Sequence, residues 1–354
     1  MCLATSQLGV RNRVLTLARV DSLRVFDRPE ATVVQAPLQW EPASCSIGLS
    51  LFALYREQAQ WADIIHVHYP WPFADLVHLI SRVRKPVVMT YHSDIVRQSL
   101  LERFYAPLRA CFFNQVSVIV ATSPNYLESS TFLGGYRHKT RVIPLGLSTE
   151  AKVSPTVQAR SYVDECFGSG FFLFVGVLRY YKGLDTLLDA AKQTGFPVVI
   201  AGKGPEEERL KAKAEKLGLD NVQFAGFVSE DVKAVLFERA RAVVFPSCFR
   251  SEAFGVTLLE GLLHGKPLIS CELGTGTSFV NNHGQTGFVV APANAHELSE
   301  AMRSLVKDEA RAIEMGKAGY ERLQSLFSGD VVGRSYYKLY KNAVADVSTV
   351  SGKK

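Results

Sequence analysis

The sequence predicts an α/β fold with two domains, each built on a doubly wound parallel sheet. Three observations support this prediction. The chain has 354 residues, a length that suits two domains better than one. Short runs rich in β-branched residues are apolar on both faces, as is typical of buried parallel strands. These runs alternate with helical patterns in two successive sets, and such alternation indicates βαβ units.

The strand candidates fall into a first and a second set. The first set reads RVLTLA, TVVQAP, DIIHVHY, PVVMTYH, SVIVATS and RVIPLG. The second set reads FFLFVGVL, FPVVIAG, VQFAGF, AVVFPS, PLIS and GFVVAP. The stretch between them, LSTEAKVSPTVQARS, is polar and has no strand signal. We therefore predict a linker near residues 147–165.

These patterns give predicted domain boundaries. The first domain covers residues 1–149, and the second covers residues 150–328. A helical pattern at residues 329–346 follows the last strand and can return to the first domain. Residues 347–354 are predicted to form a disordered tail.

The chain begins unusually for a doubly wound domain, which normally opens with a strand, a Gly-rich turn and a helix. Here MCLATSQLG reads as the last turns of such a helix, with Gly9 as its C-cap, and RVLTLA opens the sheet pattern directly afterwards. We therefore expect the first strand and the Gly-rich loop to be missing from the first domain. A sheet without that central strand should make this chain poorly soluble or weakly active.

The composition excludes several classes of protein. No segment reaches the ~18 uninterrupted apolar residues of a membrane span. The six cysteines include no CxxC pair, which indicates reduced thiols in a cytoplasmic protein rather than a disulfide framework or a zinc site. The net charge of +6 suits an anionic small ligand or a membrane surface, whereas nucleic-acid binding usually needs a denser basic patch.

The stretch PSCFRSEAFGVTLLEGLLHGKPLIS, residues 246–270, carries the strongest site signal. A loop contains Glu252, and the helix after it contains Glu260. The unpaired amides of the helix's first turn should form an anion site backed by the helix dipole. These amides belong to Phe254, Gly255 and Val256. Two acids beside such a site suit a nucleotide-sugar, and the structural alternative is a pair of solvated helix acids.

A second group follows the strand that ends at Gly176. Arg179 and Lys182 lie in the next loop, at the edge of the sheet where α/β ligands bind, and two cations there can neutralise a diphosphate leaving group. A solvated loop is the alternative. The segments AGKGPEEE and GTGTSFVN add Gly204 and Thr275 as candidate donor contacts. The first segment lacks the third glycine of a dinucleotide fingerprint.

Histidines mark two strand ends in the first half. His92, Ser93 and Asp94 follow a buried strand, but the serine lacks the G-x-S-x-G turn of a hydrolase. His66 and His68 lie on one face of another strand with too few further ligands for a metal, so packing or cleft lining is favoured.

Residues 97–113 are predicted to form a helix that carries Arg97, Arg103 and Arg109 among leucine and aromatic residues. A core helix with a basic outer face is the ordinary interpretation. The sharper hypothesis is a face that contacts an anionic membrane.

Together these residues resemble family-four glycosyltransferases of the GT-B fold, with two Rossmann-like domains facing a cleft. The resemblance covers nearly the whole chain and is strongest at Glu252-x7-Glu260, with support from TYHSDIVRQ, VLRYYKGL and CELGTGTSFVNNHGQTGFVVAP. The combination looks especially like bacterial enzymes that add mannose or rhamnose to lipopolysaccharide O-chains or other envelope polysaccharides.

The resemblance implies roles for particular residues. Glu260 would bind the ribose hydroxyls, and Glu252 would contact the transferred sugar. Lys182 matches the family's diphosphate lysine, and His92 matches its histidine near the donor sugar. The family has a Gly-Arg pair before this lysine, but here Val177 follows Gly176. The resemblance therefore implies that Arg179 takes the place of the family's arginine.

The resemblance also implies a reaction and its rivals. Enzymes of this type retain the anomeric configuration without a bound metal, and a GDP-sugar donor is favoured over a UDP-sugar. The acceptor is expected to be a saccharide or a lipid-linked saccharide. The alternatives are a GT-B sugar-nucleotide epimerase, or a truncated chain that binds nucleotide without catalysis.

Overall fold

The computed structural model describes residues 1–42, 45–94, 99–148 and 153–351. The side chains of residues 99–104 and 347–351 lie outside that description. The chain divides into two compact units. The first comprises residues 1–122, 130–144 and the helix that begins at Gly329, and the second comprises Ser123–Ser129 and Leu145–Ser328.

The first unit contains two sheets. One has the order β1-β3-β2, and the other is parallel with the order β4-β5-β6-β7. The strands are β1 (Arg13–Ala18), β2 (Arg24–Arg28), β3 (Ala31–Pro37), β4 (Ile65–Tyr69), β5 (Val87–Tyr91), β6 (Val118–Ala121) and β7 (Thr140–Val142). Within the described residues these two sheets are separate. The truncated start stays a prediction.

Among the described residues, six α-helices belong to the same unit as these sheets. They are α1 (Cys2–Ser6), α2 (Leu51–Trp61), α3 (Pro72–Ser81), α4 (Ser99–Gln115), α6 (Thr131–Gly134) and α15 (Gly329–Ser351). A core cluster joins one face of α15 to strands β5 and β6. Its fully buried members are Val88, Val120, Ile143, Val332, Tyr336, Tyr340 and Ala343.

The first unit differs from the sequence prediction in two places. Strand β2 was not expected, and it pairs antiparallel with β3 because Pro29 and Glu30 form a two-residue connection between them. Helix α15 continues through Ser351, so residues 347–351 are helical where a disordered tail was predicted. The rest of that predicted tail, residues 352–354, lies outside the described residues.

The second unit is built on one parallel sheet with the order β10-β9-β8-β11-β12-β13. Its strands are β8 (Phe172–Val175), β9 (Val198–Ala201), β10 (Val222–Gly226), β11 (Ala242–Phe245), β12 (Leu268–Cys271) and β13 (Gly287–Val290). The order reverses between β8 and β11, as in doubly wound sheets, whose ligands bind at that switch point. Two apolar cores pack within this unit.

In the described part of the second unit there are nine α-helices. They are α5 (Pro124–Ser129), α7 (Val157–Cys166), α8 (Leu184–Thr194), α9 (Glu207–Leu217), α10 (Glu230–Arg239), α11 (Val256–Leu263), α12 (Gly276–Val280), α13 (Ala295–Lys307) and α14 (Glu309–Arg322). Helix α7 lies inside the predicted linker, where the Thr156 side chain caps it by accepting from the Ala159 amide. Helix α5 also departs from the predicted boundary, because the sequence pattern places it in the first domain.

In the described ranges, no helix is both long and apolar enough to cross a bilayer.

Candidate functional site

The candidate site lies at the carboxyl ends of β8 and β11, which are neighbours in the second sheet. After β8 the chain passes through a 3-10 turn, Tyr180–Lys182, and then enters α8. After β11 it forms a loop from Pro246 to Gly255 and then enters α11. Both loops therefore open at the switch point of the sheet, the position where such folds bind ligands.

A buried ion pair joins the two loops. The Nζ of Lys182 donates to Oε2 of Glu252 at 2.5 Å, and the two side chains are only 12% and 11% exposed. The hydroxyl of Ser247 donates to the same carboxylate oxygen at 3.0 Å. The Nζ of Lys182 also lies 4.8 Å from the centre of the Phe245 ring. Lysine and carboxylate are thus held together in a site from which most water is excluded.

Gly183 allows the loops to approach this closely. Its φ is +66°, and a Cβ there would lie 1.9 Å from the carbonyl oxygen of Pro246. The amide of Cys248 donates to the carbonyl of Tyr181 at 2.9 Å, which ties the same two loops together. Any side chain at position 183 would therefore push Lys182 away from Glu252.

Helix α11 begins beside the ion pair. Gly255 precedes it with a φ of +86°, a conformation that glycine adopts without steric cost. Phe254 is buried and packs against Phe327 at 6.2 Å, whereas Val256 is half exposed. The Leu258 amide donates to the carbonyl of Gly255 at 2.9 Å, whereas the amides from Phe254 to Thr257 precede the helix's own ladder of acceptors and can bind an anion. The hydroxyl of Thr257 donates to the carbonyl of Val175 at 3.2 Å and fixes this turn against β8.

Glu260 lies on the second turn of α11 and has its own cation. The Nζ of Lys233, from α10, donates to Oε1 of Glu260 at 2.7 Å and also lies 2.8 Å from Oε2 of Glu230. The side chains of Lys233 and Glu260 are about four-fifths buried. Hydrogen bonds to these two acids raise the pKa of Lys233 against the opposing effect of its burial.

The remaining predicted residues of the second unit take structural positions. Thr275 is fully buried, and its hydroxyl donates to the backbone carbonyl of Glu252 at 2.8 Å. Gly176 ends β8, and its amide donates to the carbonyl of Ala201. A Cβ on Gly204 would lie 2.4 Å from the carbonyl oxygen of Leu178, so this glycine permits close loop packing. Arg179 is exposed at the start of the 3-10 turn.

His92 lies in the first unit, directly after β5. It is half-buried, and its Nε2 is 2.8 Å from Nδ1 of His68. Burial, together with the neighbouring His68, lowers the pKa of His92 to about 4. The imidazole is therefore neutral at physiological pH. Asp94 accepts from the hydroxyls of Tyr91 and Ser130 at 2.7 and 3.0 Å, so it braces this strand end.

The predicted basic helix is only partly described. It corresponds to α4, and Arg97 and the side chain of Arg103 lie outside the described residues. Arg109 is half-buried with its guanidinium 4.1 Å from the centre of the Phe132 ring, so this cation packs on an aromatic neighbour.

Sequence reasoning missed Ser247 and Lys233, and it named His68 without predicting its contact with His92. Lys233 forms an i,i+3 pair with Glu230, which is a local signal only for a solvated helix face. No cluster of three or more metal-ligating side chains occurs among the residues that the structure describes.

Comparison with known proteins gives matches to both halves of the chain. Residues 168–322 match the family described as Glycosyl transferases group 1, and residues 1–151 match Glycosyltransferase Family 4. D-rhamnosyltransferase WbpZ of Pseudomonas aeruginosa is 46% identical over 93% of this chain and 86% of its own length. O-antigen chain mannosyltransferase C of Escherichia coli is 44% identical over 85% of this chain and 81% of its own length.

Solved structures show a similar fold. A sucrose-phosphate synthase from Thermosynechococcus elongatus aligns with a TM-score of 0.76 at 23% identity, covering 97% of this chain and 91% of its own. Anabaena HepE in complex with UDP aligns with a TM-score of 0.74 at 17% identity, and the alignment covers 94% of this chain and 100% of HepE. At these identities the likeness concerns the fold alone.

Proposed function

Because this chain belongs to the family-four glycosyltransferases and has their GT-B fold, we propose that it moves a hexose, with retention of configuration, from a nucleoside-diphosphate sugar to a saccharide acceptor. Mannose or rhamnose is the favoured sugar, because the two similar transferases are named for those sugars. GDP is the favoured nucleotide, with UDP as the alternative. The acceptor is a saccharide or lipid-linked saccharide of bacterial surface polysaccharide synthesis, such as O-antigen in lipopolysaccharide.

The observation that carries the proposal is the pairing of Lys182 with Glu252 beside the start of α11. In the transfer step the bond from the sugar's anomeric carbon to the β-phosphate oxygen breaks, and negative charge grows on the leaving diphosphate. Lys182 and the first-turn amides of α11 supply positive charge to that group, with Arg179 as a second cation. Glu252 then contacts the sugar, and no metal is required.

The acceptor oxygen forms its new bond on the face that the phosphate leaves, which preserves the configuration. The acceptor proton passes to the departing β-phosphate oxygen, so charge and atoms balance. His92 contacts the transferred sugar through a neutral imidazole, for which its lowered pKa is suitable. Glu260 accepts hydrogen bonds from the ribose, and Lys233 orients its carboxylate.

The epimerase alternative is set aside, since the chain belongs to a family of transferases. The assay in the next paragraph decides whether the chain instead binds nucleotide without catalysis. For localisation we propose the cytoplasm, peripherally on the inner face of the plasma membrane through the basic segment of residues 97–113. The cysteines in the described part of the chain are all free thiols, which is compatible with a reducing compartment.

The decisive experiment incubates the purified chain with GDP-mannose, GDP-rhamnose or UDP-glucose and a lipid-linked saccharide acceptor. We expect product from a GDP-sugar with the donor's anomeric configuration, read by NMR. Lys182→Ala should abolish most turnover, and the matched control Lys211→Ala, which breaks an exposed pair with Glu207 on α9, should not. An inverted product, or no transfer and no donor hydrolysis with any sugar, would refute the proposal.

A further inference from the structure

Three histidines stand in nearly parallel array on the first unit's four-stranded sheet. His66 and His68 occupy one face of β4, and His92 follows β5. The rings of His66 and His68 are 4.9 Å apart at 13°, and those of His68 and His92 are 5.1 Å apart at 13°. We call these three residues the histidine ladder.

One end of the ladder is fixed by α15. The Nδ1 of His66 lies 2.6 Å from the hydroxyl of Tyr340, and its Nε2 lies 2.8 Å from the hydroxyl of Thr90. Thr90 is in turn 2.9 Å from the hydroxyl of Tyr336. Both tyrosines belong to the buried face of α15. Both ring nitrogens of His66 are therefore occupied, and the ring cannot turn over without losing a hydrogen bond.

The middle of the ladder is less buried. The middle ring, that of His68, is exposed, yet its Nδ1 is hydrogen-bonded to Nε2 of His92 and its ring stacks on that of His66. The backbone amide of His92 donates to the carbonyl of Tyr69 at 3.0 Å, so the main chain of His92 is held by β4 as well. Between two neutral imidazoles one nitrogen must donate and the other accept. The tautomers of His68 and His92 are therefore coupled, because a proton on Nδ1 of His68 requires Nε2 of His92 to accept.

We propose that His66 and His68 are positioning residues for His92: His68 fixes its tautomer through their shared hydrogen bond, and His66, held by Tyr336 and Tyr340 of α15, fixes the ring orientation by stacking on His68. His92 then offers the donor sugar one defined nitrogen, Nδ1, in one protonation form. This inference rests on the proposed function of His92. It extends that function to a segment more than two hundred residues away in sequence, since α15 begins at Gly329. The ladder needs no metal to explain its geometry, because each described contact is a hydrogen bond or a ring contact.

The test compares two replacements at His68. In His68→Asn the side-chain amide can occupy the place of Nδ1 and keep a hydrogen bond to His92, whereas His68→Leu has no such group. Because His68 is exposed, neither change empties the core. We expect His68→Leu to lower kcat about 3- to 10-fold with little change in the KM of the donor, and His68→Asn to restore most of kcat. His138→Asn, an exposed histidine of the same unit, is the matched control.

A second readout does not depend on activity. The chain has eight histidines, so ¹⁵N-histidine labelling gives a tractable spectrum of ring nitrogens. We expect one His92 tautomer in the wild type and in His68→Asn, and a mixture in His68→Leu. Tyr340→Phe should move the ring signals of His66 in the same experiment.

The outcomes separate the inference from the proposed function. If the wild type transfers no sugar, the proposed function fails while the NMR spectra still decide whether the ladder sets the tautomer. If His92→Ala is impaired but His68→Leu matches the wild type in kcat and in the His92 spectrum, the ladder inference is wrong. Equal losses in His68→Leu and His68→Asn would also overturn it, because the hydrogen bond would then not matter.

Discussion

At the scale of single residues, the notable feature is that the charge of Lys182 is paired with a buried carboxylate, that of Glu252. Oε2 of its partner Glu252 also accepts from Ser247, so this buried carboxylate oxygen has two donors. Removing one member of a buried pair leaves the other uncompensated, which is strongly unfavourable unless a new partner arrives. A diphosphate is such a partner for Lys182. The ion pair therefore couples the sugar side of the site to the phosphate side.

This coupling gives the first prediction. Glu252→Gln should lower kcat about 10- to 100-fold, because a charge-assisted contact to the transferred sugar is lost. The Kd of GDP alone should be unchanged or lower, since Lys182 no longer has a competing carboxylate. Kinetics with GDP-mannose and calorimetry with GDP measure the two effects. Glu207→Gln on α9 is the control, and a GDP affinity that falls in step with kcat would contradict the assignment of Glu252 to the sugar.

The second prediction concerns the phosphate side. Lys182→Ala should weaken GDP binding about 10-fold or more and GMP binding much less, since the β-phosphate is the group that the lysine meets. Arg179→Ala should show the same preference with a smaller effect, because this side chain is exposed and its interactions are screened. Calorimetric titration of both nucleotides into each variant measures the ratio. Equal losses for GDP and GMP would place these cations elsewhere.

At the scale of elements, the strands were predictable and their partners were not. Runs such as FLFV of β8 and AVVF of β11 are fully buried or nearly so, and a run that is apolar on both faces predicts a buried strand directly. Strand β2 was missed because it is an edge strand exposed on both faces, and its sequence RVFDR is therefore too polar to resemble a buried strand. Helix α7 was missed because only Ala159 and Val163 are buried, which gives little apolar periodicity, and because its start depends on the Thr156 cap.

The same limit applies to the site. Glu252, Glu260 and Lys182 could be proposed because each lies beside a strand end or a helix start, which are local features of sequence. Their partners come from elements that are distant in sequence. Lys233 reaches Glu260 only because α10 and α11 belong to the same unit, and His68 reaches His92 only because β4 and β5 pair in register. Such pairs depend on tertiary packing, which no local pattern contains.

A third prediction belongs to the packing of α3 against α4. Asp75 on α3 is 2% exposed and accepts from the hydroxyl of Tyr105 on α4. Burial raises the pKa of Asp75 to about 7, against an unfolded value of about 3.9. Between these two pH values the folded protein binds more protons than the unfolded chain, so Asp75 makes the free energy of unfolding fall as pH rises from about 4 to 7.

Asp75→Asn should remove this dependence while keeping an acceptor for Tyr105. We expect the variant to gain stability relative to wild type by up to about 1.4 kcal/mol per pH unit across that range, and the difference to level off above pH 7. Urea unfolding at pH 5, 6, 7 and 8 measures it, with the exposed Asp63→Asn as control. A difference that does not change with pH would show that Asp75 is already ionised in the folded state at pH 5.

At the scale of the whole molecule, the chain path does not follow the order of the two units. Helix α15 comes after the second unit but its apolar face completes the core of the first, and α5 comes within the first stretch but belongs to the second. The sequence pattern could place the strong strands in two sets. It could not assign α5, since a six-residue helix carries too little periodicity to indicate what it packs against.

The last prediction follows from these separate cores. Val332→Ala removes buried contacts of α15 with the first unit, and should lower the stability of that unit by about 1–3 kcal/mol. GDP at about 100 times its Kd should instead stabilise the second unit by about 2.7 kcal/mol. Hydrogen exchange resolves the two, because peptides from β4–β7 should respond only to Val332→Ala and peptides from β8–β13 only to GDP. Leu305→Ala, in the core of the second unit, should give the converse pattern to Val332→Ala. If every peptide shifts together in each case, the two units unfold as one cooperative body and the separate cores do not act independently.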